Sequence, residues 1–181
     1  MNAGSLLRVG ASTFLFATLH ICAATSHSLA AGADASPTRL AVFDFELEDF
    51  SAGASIAGDR DADDTYIKTV SFEVRRLIEQ SGRYRLVDVS GANAEAVKDH
   101  SLRNCNGCDA GIALALGAEQ SLIGVVRRIT RTEYVVLFRL RDAKTGAVLA
   151  SQETDLRMGA NYAWSRGAAR LIKDRLLDVQ R

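Results

Sequence analysis

The chain is poor in the residues that most covalent and acid–base chemistry uses. It has three histidines, three cysteines and a single proline, Pro37, in 181 residues. No GxGxxG or Walker sequence occurs, so nucleotide binding has no support. No internal repeat or low-complexity block is present, which excludes solenoid and propeller architectures. Basic and acidic residues balance at 22 each, and a near-neutral chain has no electrostatic case for nucleic acid or an acidic membrane surface.

What is present begins with an uneven amino terminus. Arg8 is the only cation of the first segment, no acid precedes Asp34, and an apolar run extends from Val9 to Ala24, followed by small residues to Ala33. This is the three-part pattern of a cleaved secretory signal, with Ser28-Leu29-Ala30 or a neighbouring alanine at the processing site. A spanning helix needs about 20 apolar residues; this run is shorter and contains Thr13 and His20. Cys22 follows Leu19-His20-Ile21, without the small residues that precede a lipidated cysteine. The expectation is a periplasmic protein with a signal peptide over residues 1–31, a flexible lead-in over 32–38, and one domain over 39–181. The mature chain of about 150 residues is long enough to bury one core.

From Arg39 the pattern becomes regular. Leu40 to Leu47 reads as a strand whose first half is apolar on both faces, as in a central parallel strand. After the loop Glu48 to Ala62, Tyr66, Ile67, Val70, Val74, Leu77 and Ile78 recur at helical spacing, with Asp63 or Asp64 as cap and Gly82 as stop. Tyr84 to Val89 completes a β-α-β unit. Short helices are expected at Asn93–His100 and Asp109–Leu116, the second capped by Asp109. Strands follow at Leu122–Val126, Tyr134–Arg141 and Ala147–Leu156, with an Arg127–Thr132 bend and an Asp142–Gly146 turn between them. Asn161 opens a last helix with an apolar stripe of Trp164, Ala168, Leu171, Ile172 and Leu176. The order β-α-β-α-α-β-β-β-α implies a single α/β domain with a mixed five-stranded sheet and helices packed on it.

The segments LAVFDFEL, SGRYRLVD, LGAEQSLIGVVRRI and LRDAKTGAVLASQETDL resemble the amino-terminal domain of the TolB family. They are also similar to the envelope domains of the CsgG and LpoB families. An uncharacterised family of exported bacterial proteins sharing the RNCNGCDAGIALALGA loop and helix resembles this chain as well. The resemblance covers nearly all of the chain after Arg39. It implies an accessory or scaffold role in the envelope through protein partners, without catalytic residues. The chain lacks TolB's propeller repeats, a lipoprotein cysteine and strands long enough for a CsgG-like pore, so only the domain type and its habit of binding neighbours are implied.

Cys105-Asn106-Gly107-Cys108 holds the two thiols that remain after export. In an oxidising compartment such a pair closes as a structural disulfide, and Asn106-Gly107 suits the tight turn. A redox-active pair is the alternative. It would want its first cysteine at a helix start, whereas both thiols precede the expected cap and Asp109 adds an opposing negative charge. A thioredoxin-type enzyme would also want a cis-proline beside the site, whereas Pro37 is remote. Metal binding would have to recruit His100 and Asp109, without a second CxxC. Aspartate rather than histidine follows Cys108, which excludes haem attachment.

Asp59 to Asp64 opens like a calcium loop, but Asp64 stands at the sixth position and Val70 at the twelfth, so it reads as a solvated helix entry. Gly53 to Gly58 is loop and no nucleophile elbow. Asp44 and Glu46 alternate onto one face at the carboxyl end of the first strand, where ligands of open α/β sheets sit; with Asp88 nearby they are partner or small-molecule candidates. Arg127, Arg128 and Arg131 form an exposed hairpin or a docking patch. The reading is a periplasmic, non-catalytic accessory protein with no cofactor, no metal, no nucleic acid and a protein partner. The alternatives are a thiol-disulfide redox protein and a small-molecule binder, and the oligomeric state stays open.

Overall fold

A computed structural model of the chain describes residues 36–52, 60–92 and 101–178. The expected signal segment 1–31, the loop 53–58 and the expected helix 93–100, with His100, lie outside the described residues.

Strand β1 (Thr38–Val42) lies inside the sheet because Leu40, Ala41 and Val42 are apolar on both faces, and all three are buried. It pairs in parallel with β3 (Tyr84–Val87) on one side and with β4 (Gln120–Thr130) on the other. Helix α1 (Arg60–Gln80) connects β1 to β3. From β4 the chain runs back through antiparallel β5 (Glu133–Asp142) and β6 (Val148–Glu153), giving the order β3-β1-β4-β5-β6. Two short strands complete the sheet: β2 (Glu46–Asp49) continues β1 alongside β4, and β7 (Arg157–Met158) pairs with β5. The result is a mixed α/β domain, with seven strands rather than five because the first strand divides and Arg157–Met158 adds a short pairing.

Alternation along β1 builds two cores. Leu40 and Val42 face α1 and α3 (Trp164–Ile172), with Val70, Val74, Ile78, Phe138, Trp164 and Ile172 in one large buried cluster. Ala41 and Phe43 face the other way, into a smaller cluster with Leu102, Ala113 and Ile123 beneath α2 (Cys108–Ala115). The stripe from Trp164 to Leu176 is buried as its spacing demands. Asn161 does not cap α3; it starts a single 3-10 turn (Asn161–Ala163), and its side-chain amide donates to Asp63 at 3.2 Å.

The division of the first strand has a definite geometry. Val42 aligns with Leu122 and Glu46 with Val125, so four steps along one chain match three along β4. This is one inserted residue, and it bends the strand. Two side chains of α1, one turn apart, hold the backbone at the insertion: Ser71 Oγ accepts the Phe45 N–H at 2.8 Å. Arg75 donates to the Val42 carbonyl from Nε at 3.1 Å and Nη2 at 2.8 Å. The insertion shifts the alternation by one. Phe45 and Leu47 therefore pack with the larger cluster, while Glu46 and Glu48 point to the opposite face.

Candidate functional site

Glu46 and the cysteine loop meet on that opposite face. A 3-10 turn (Leu102–Asn104) precedes the cysteines, anchored by buried Leu102. Glu46 Oε1 accepts the Leu102 N–H at 2.5 Å, and Oε2 accepts from Arg103 Nη1 at 2.6 Å. Cys105 and Cys108 are joined as a disulfide with their Cα atoms 5.6 Å apart. The link between them turns through Asn106 at φ 49° and Gly107 at φ 114°, left-handed positions that suit Asn and Gly.

Cys108 is the first residue of α2, and Gly107 stands at its cap without a side-chain bond. Asp109 is therefore not the cap that its position suggests. It is fully buried and accepts from Ser121 Oγ at 2.6 Å. Arg141 Nε lies 3.5 Å from its other oxygen, and Arg141 Nη1 donates to the Gly146 carbonyl at 3.0 Å. This buried pair joins the cysteine loop to β4, β5 and the turn that follows.

The other carboxylate candidates do not converge with Glu46. Because of the inserted residue, Asp44 turns toward α1 and lies 2.9 Å from Arg75 Nη1. Asp88 accepts from its own loop, the Ser90 N–H at 2.9 Å and Ser90 Oγ at 2.8 Å. Those two bonds, the backbone one foremost, hold its carboxyl below the ordinary aspartate value. Asp44, Glu46 and Asp88 thus serve three separate local contacts rather than one cleft.

The arginine candidates separate as well, since Arg127 and Arg128 belong to β4 and not to a bend. Arg127 donates from Nε to Glu48 at 2.6 Å and stands 6.0 Å from the Phe50 ring centre. Arg128 faces the other side of the sheet, where it is buried. There it pairs with Asp63 and with Asp49 at 3.4 Å, and its guanidinium lies 5.1 Å from the Trp164 ring centre. Arg131 is exposed in the hairpin turn. Asp63, expected as a helix cap, sits inside α1 as the partner of Arg128.

The feature that the sequence reading missed is a cleft of about 550 Å³ on the face of Glu46, between β2, β4, β5, β6 and the turn before the disulfide. Its floor is Ile123, Val125 and Leu137; its walls include Arg103, Arg127, Arg139, Ser151, Gln152, Glu48 and Glu153. Alternation within Phe138-Arg139-Leu140-Arg141 was the available signal: Phe138 and Leu140 pack into the larger core and the two arginines share the opposite face, Arg139 at the cleft and Arg141 buried against Asp109. Among the described residues, no three His, Cys, Asp or Glu side chains are grouped to hold a metal ion. Among the same residues, no helix is long and apolar enough to cross a membrane.

Residues 38–176 match the family DUF3280, described as protein of unknown function (DUF2380). The chain belongs to this family. No curated protein matches it. Among solved structures it is similar to the LpoB C-terminal domain from Salmonella enterica, with 16% identity, 66% of this chain and 82% of that chain covered, and a TM-score of 0.45. It is also similar to the PelC dodecamer from Paraburkholderia phytofirmans, with 15% identity, coverage of 76% and 86%, and a TM-score of 0.44. TolB from Acinetobacter baumannii matches at 12% identity over 76% of this chain and 28% of that chain, with a TM-score of 0.42. None of these likenesses assigns a function to this DUF3280 chain.

Proposed function

We propose that this DUF3280 protein is a non-catalytic accessory or scaffold protein of the bacterial envelope, exported to the periplasm, that acts by binding a protein partner. One observation carries the reading. On one face α2 packs against the start of β4, and beyond it that face holds the arginine-walled cleft across β4, β5 and β6 instead of a closed core. The carboxylates support it: Asp44, Glu46, Asp88 and Asp109 are each taken up by a structural partner, which suits holding a fold and not acid–base turnover.

In-cell crosslinking of the tagged mature protein, followed by reconstitution with the purified partner, tests this. A defined envelope protein that forms a stable complex from purified components is the expected result. A mature protein that crosslinks to nothing reproducible, yet retains a metabolite or turns over a substrate, overturns it.

A thiol-disulfide redox role is the second reading, favoured by one observation: Cys108, the second cysteine of the pair and not the first, stands at the first position of α2, where the helix dipole stabilises a thiolate. The reduction potential separates the two. A value low enough to resist glutathione marks a structural bridge, and an easily cycled value marks redox work.

A further inference from the structure

We propose that the cleft beside the disulfide loop recognises an acidic, extended segment of a protein partner, with Arg139 and Arg103 reading a carboxylate side chain. The proposal rests on the protein-binding reading and names the surface and the chemistry of the partner.

The cleft is walled by three guanidinium groups, two of them only partly engaged and one without a partner among the described residues. Arg127 gives its Nε to Glu48, and Arg103 gives Nη1 to Glu46. Arg139 makes no hydrogen bond or ion pair among the described residues, and Arg103 Nε is buried without a hydrogen-bond partner among them. The glutamates at alternate positions of β2 therefore orient the two outer arginines without exhausting their donors. A planar guanidinium fork above an apolar floor matches a carboxylate with two parallel hydrogen bonds. Removal from bulk water strengthens such a pair.

The rim explains why the ligand is a peptide and not a simple anion. Glu153, on β6, has no partner among the described residues and faces the same cleft. The site thus offers unpaired donors at Arg139, beside the Arg103 guanidinium that Glu46 orients, and an unpaired acceptor at Glu153. An extended acidic peptide supplies both complements, a side-chain carboxylate and a backbone N–H, whereas a small dicarboxylate supplies only the first and meets repulsion at Glu153. β6 is also the last strand of the sheet order, so the cleft opens at the sheet margin where a chain can enter and leave.

Titration of the mature protein, followed by amide and arginine side-chain N–H nuclear magnetic resonance, tests the site. The probes are an octapeptide of alternating Glu and Ala, its Lys–Ala counterpart, and free glutarate. The Glu–Ala peptide should move the signals of Arg103, Arg139 and Ser151, and Arg139→Gln and Arg103→Gln should each weaken its binding about tenfold or more. Arg139→Gln should keep the parent melting temperature, because the Arg139 side chain makes no hydrogen bond or ion pair among the described residues. The proposal fails if the cleft signals do not move, if Arg139→Gln binds the peptide as the parent does, or if Lys–Ala peptide or glutarate binds as well as the Glu–Ala peptide. A partner found by crosslinking that binds Arg139→Gln unchanged sinks the cleft assignment and leaves the accessory reading standing. Peptide binding at the cleft without any protein complex does the reverse.

Discussion

The ring of Phe45 lies against the Cα of Gly124, in the space where any other residue would carry its Cβ. The contact follows from the inserted residue between β1 and β2, which turns Phe45 into the larger core at the point where β4 has no side chain. Gly124→Ala would drive a methyl group into the ring, and overpacking of this kind costs about 1–3 kcal/mol. Urea denaturation should show that loss. Gly111→Ala in α2 meets open space and should instead raise stability by about 0.5–1 kcal/mol, the helix propensity difference. Equal effects at the two glycines would mean that the ring contact is not what Gly124 serves.

Asp109 and Arg141 make a second prediction. Both are buried, and Arg141 would be left as an uncompensated charge beside Gly107 if the carboxylate were removed. Asp109→Ala should therefore destabilise by about 3–5 kcal/mol. The double variant with Arg141→Met should recover part of that loss, since an apolar pair carries no desolvation penalty. A double variant less stable than Asp109→Ala alone would show that Arg141 acts mainly through its bond to the Gly146 carbonyl.

Opening the disulfide removes a constraint on the unfolded chain, and a ring this small accounts for about 2 kcal/mol in the chain-entropy model. Melting with and without reductant, and the Cys105→Ala/Cys108→Ala pair, should show losses of that order. Protein-partner binding should weaken without vanishing, because Glu46 still holds Leu102 and Arg103. Unchanged stability together with loss of a thiol-exchange activity would favour the redox reading.

Tyr134 gives the pH prediction. Its hydroxyl donates to the Ala163 carbonyl at 3.0 Å. Burial raises its pKa above the ordinary tyrosine value, against the opposing pull of Arg157 and Arg166. A raised folded pKa means that the stabilisation is complete below the unfolded tyrosine value and is lost as pH rises through the folded one. Melting temperature should thus fall at alkaline pH, beyond about pH 10. Tyr134→Phe should reduce that slope and cost about 1 kcal/mol at neutral pH through the lost hydrogen bond. Tyr84 is shifted upward by burial too, so Tyr84→Phe provides the comparison. An alkaline slope unaltered by Tyr134→Phe would remove Tyr134 from the account.

Local pattern carried much of the architecture. The apolar spacing from Tyr66 to Ile78 and from Trp164 to Leu176 is visible without any partner, because a helix places residues three and four apart on one face whatever it packs against. Asn106-Gly107 is legible for the same reason: its left-handed geometry is a property of those two residues. The candidate site was harder. Asp44 and Glu46 look like neighbours on one face only if the strand is regular, and the inserted residue separates them. Arg128 looks like a surface cation until Trp164 and Asp63 arrive from distant parts of the chain.

By itself, then, the sequence determined most of the long elements, the position of the disulfide ring and the mixed α/β class, since each depends on interactions within a few residues. Tertiary structure alone decided which charges are buried, which face each arginine occupies, and that Arg103, Arg127 and Arg139 border one cleft. The reason is physical: a strand's side-chain direction reverses at every step, so one extra residue, held by Ser71 and Arg75 from a helix across the core, reassigns every side chain beyond it.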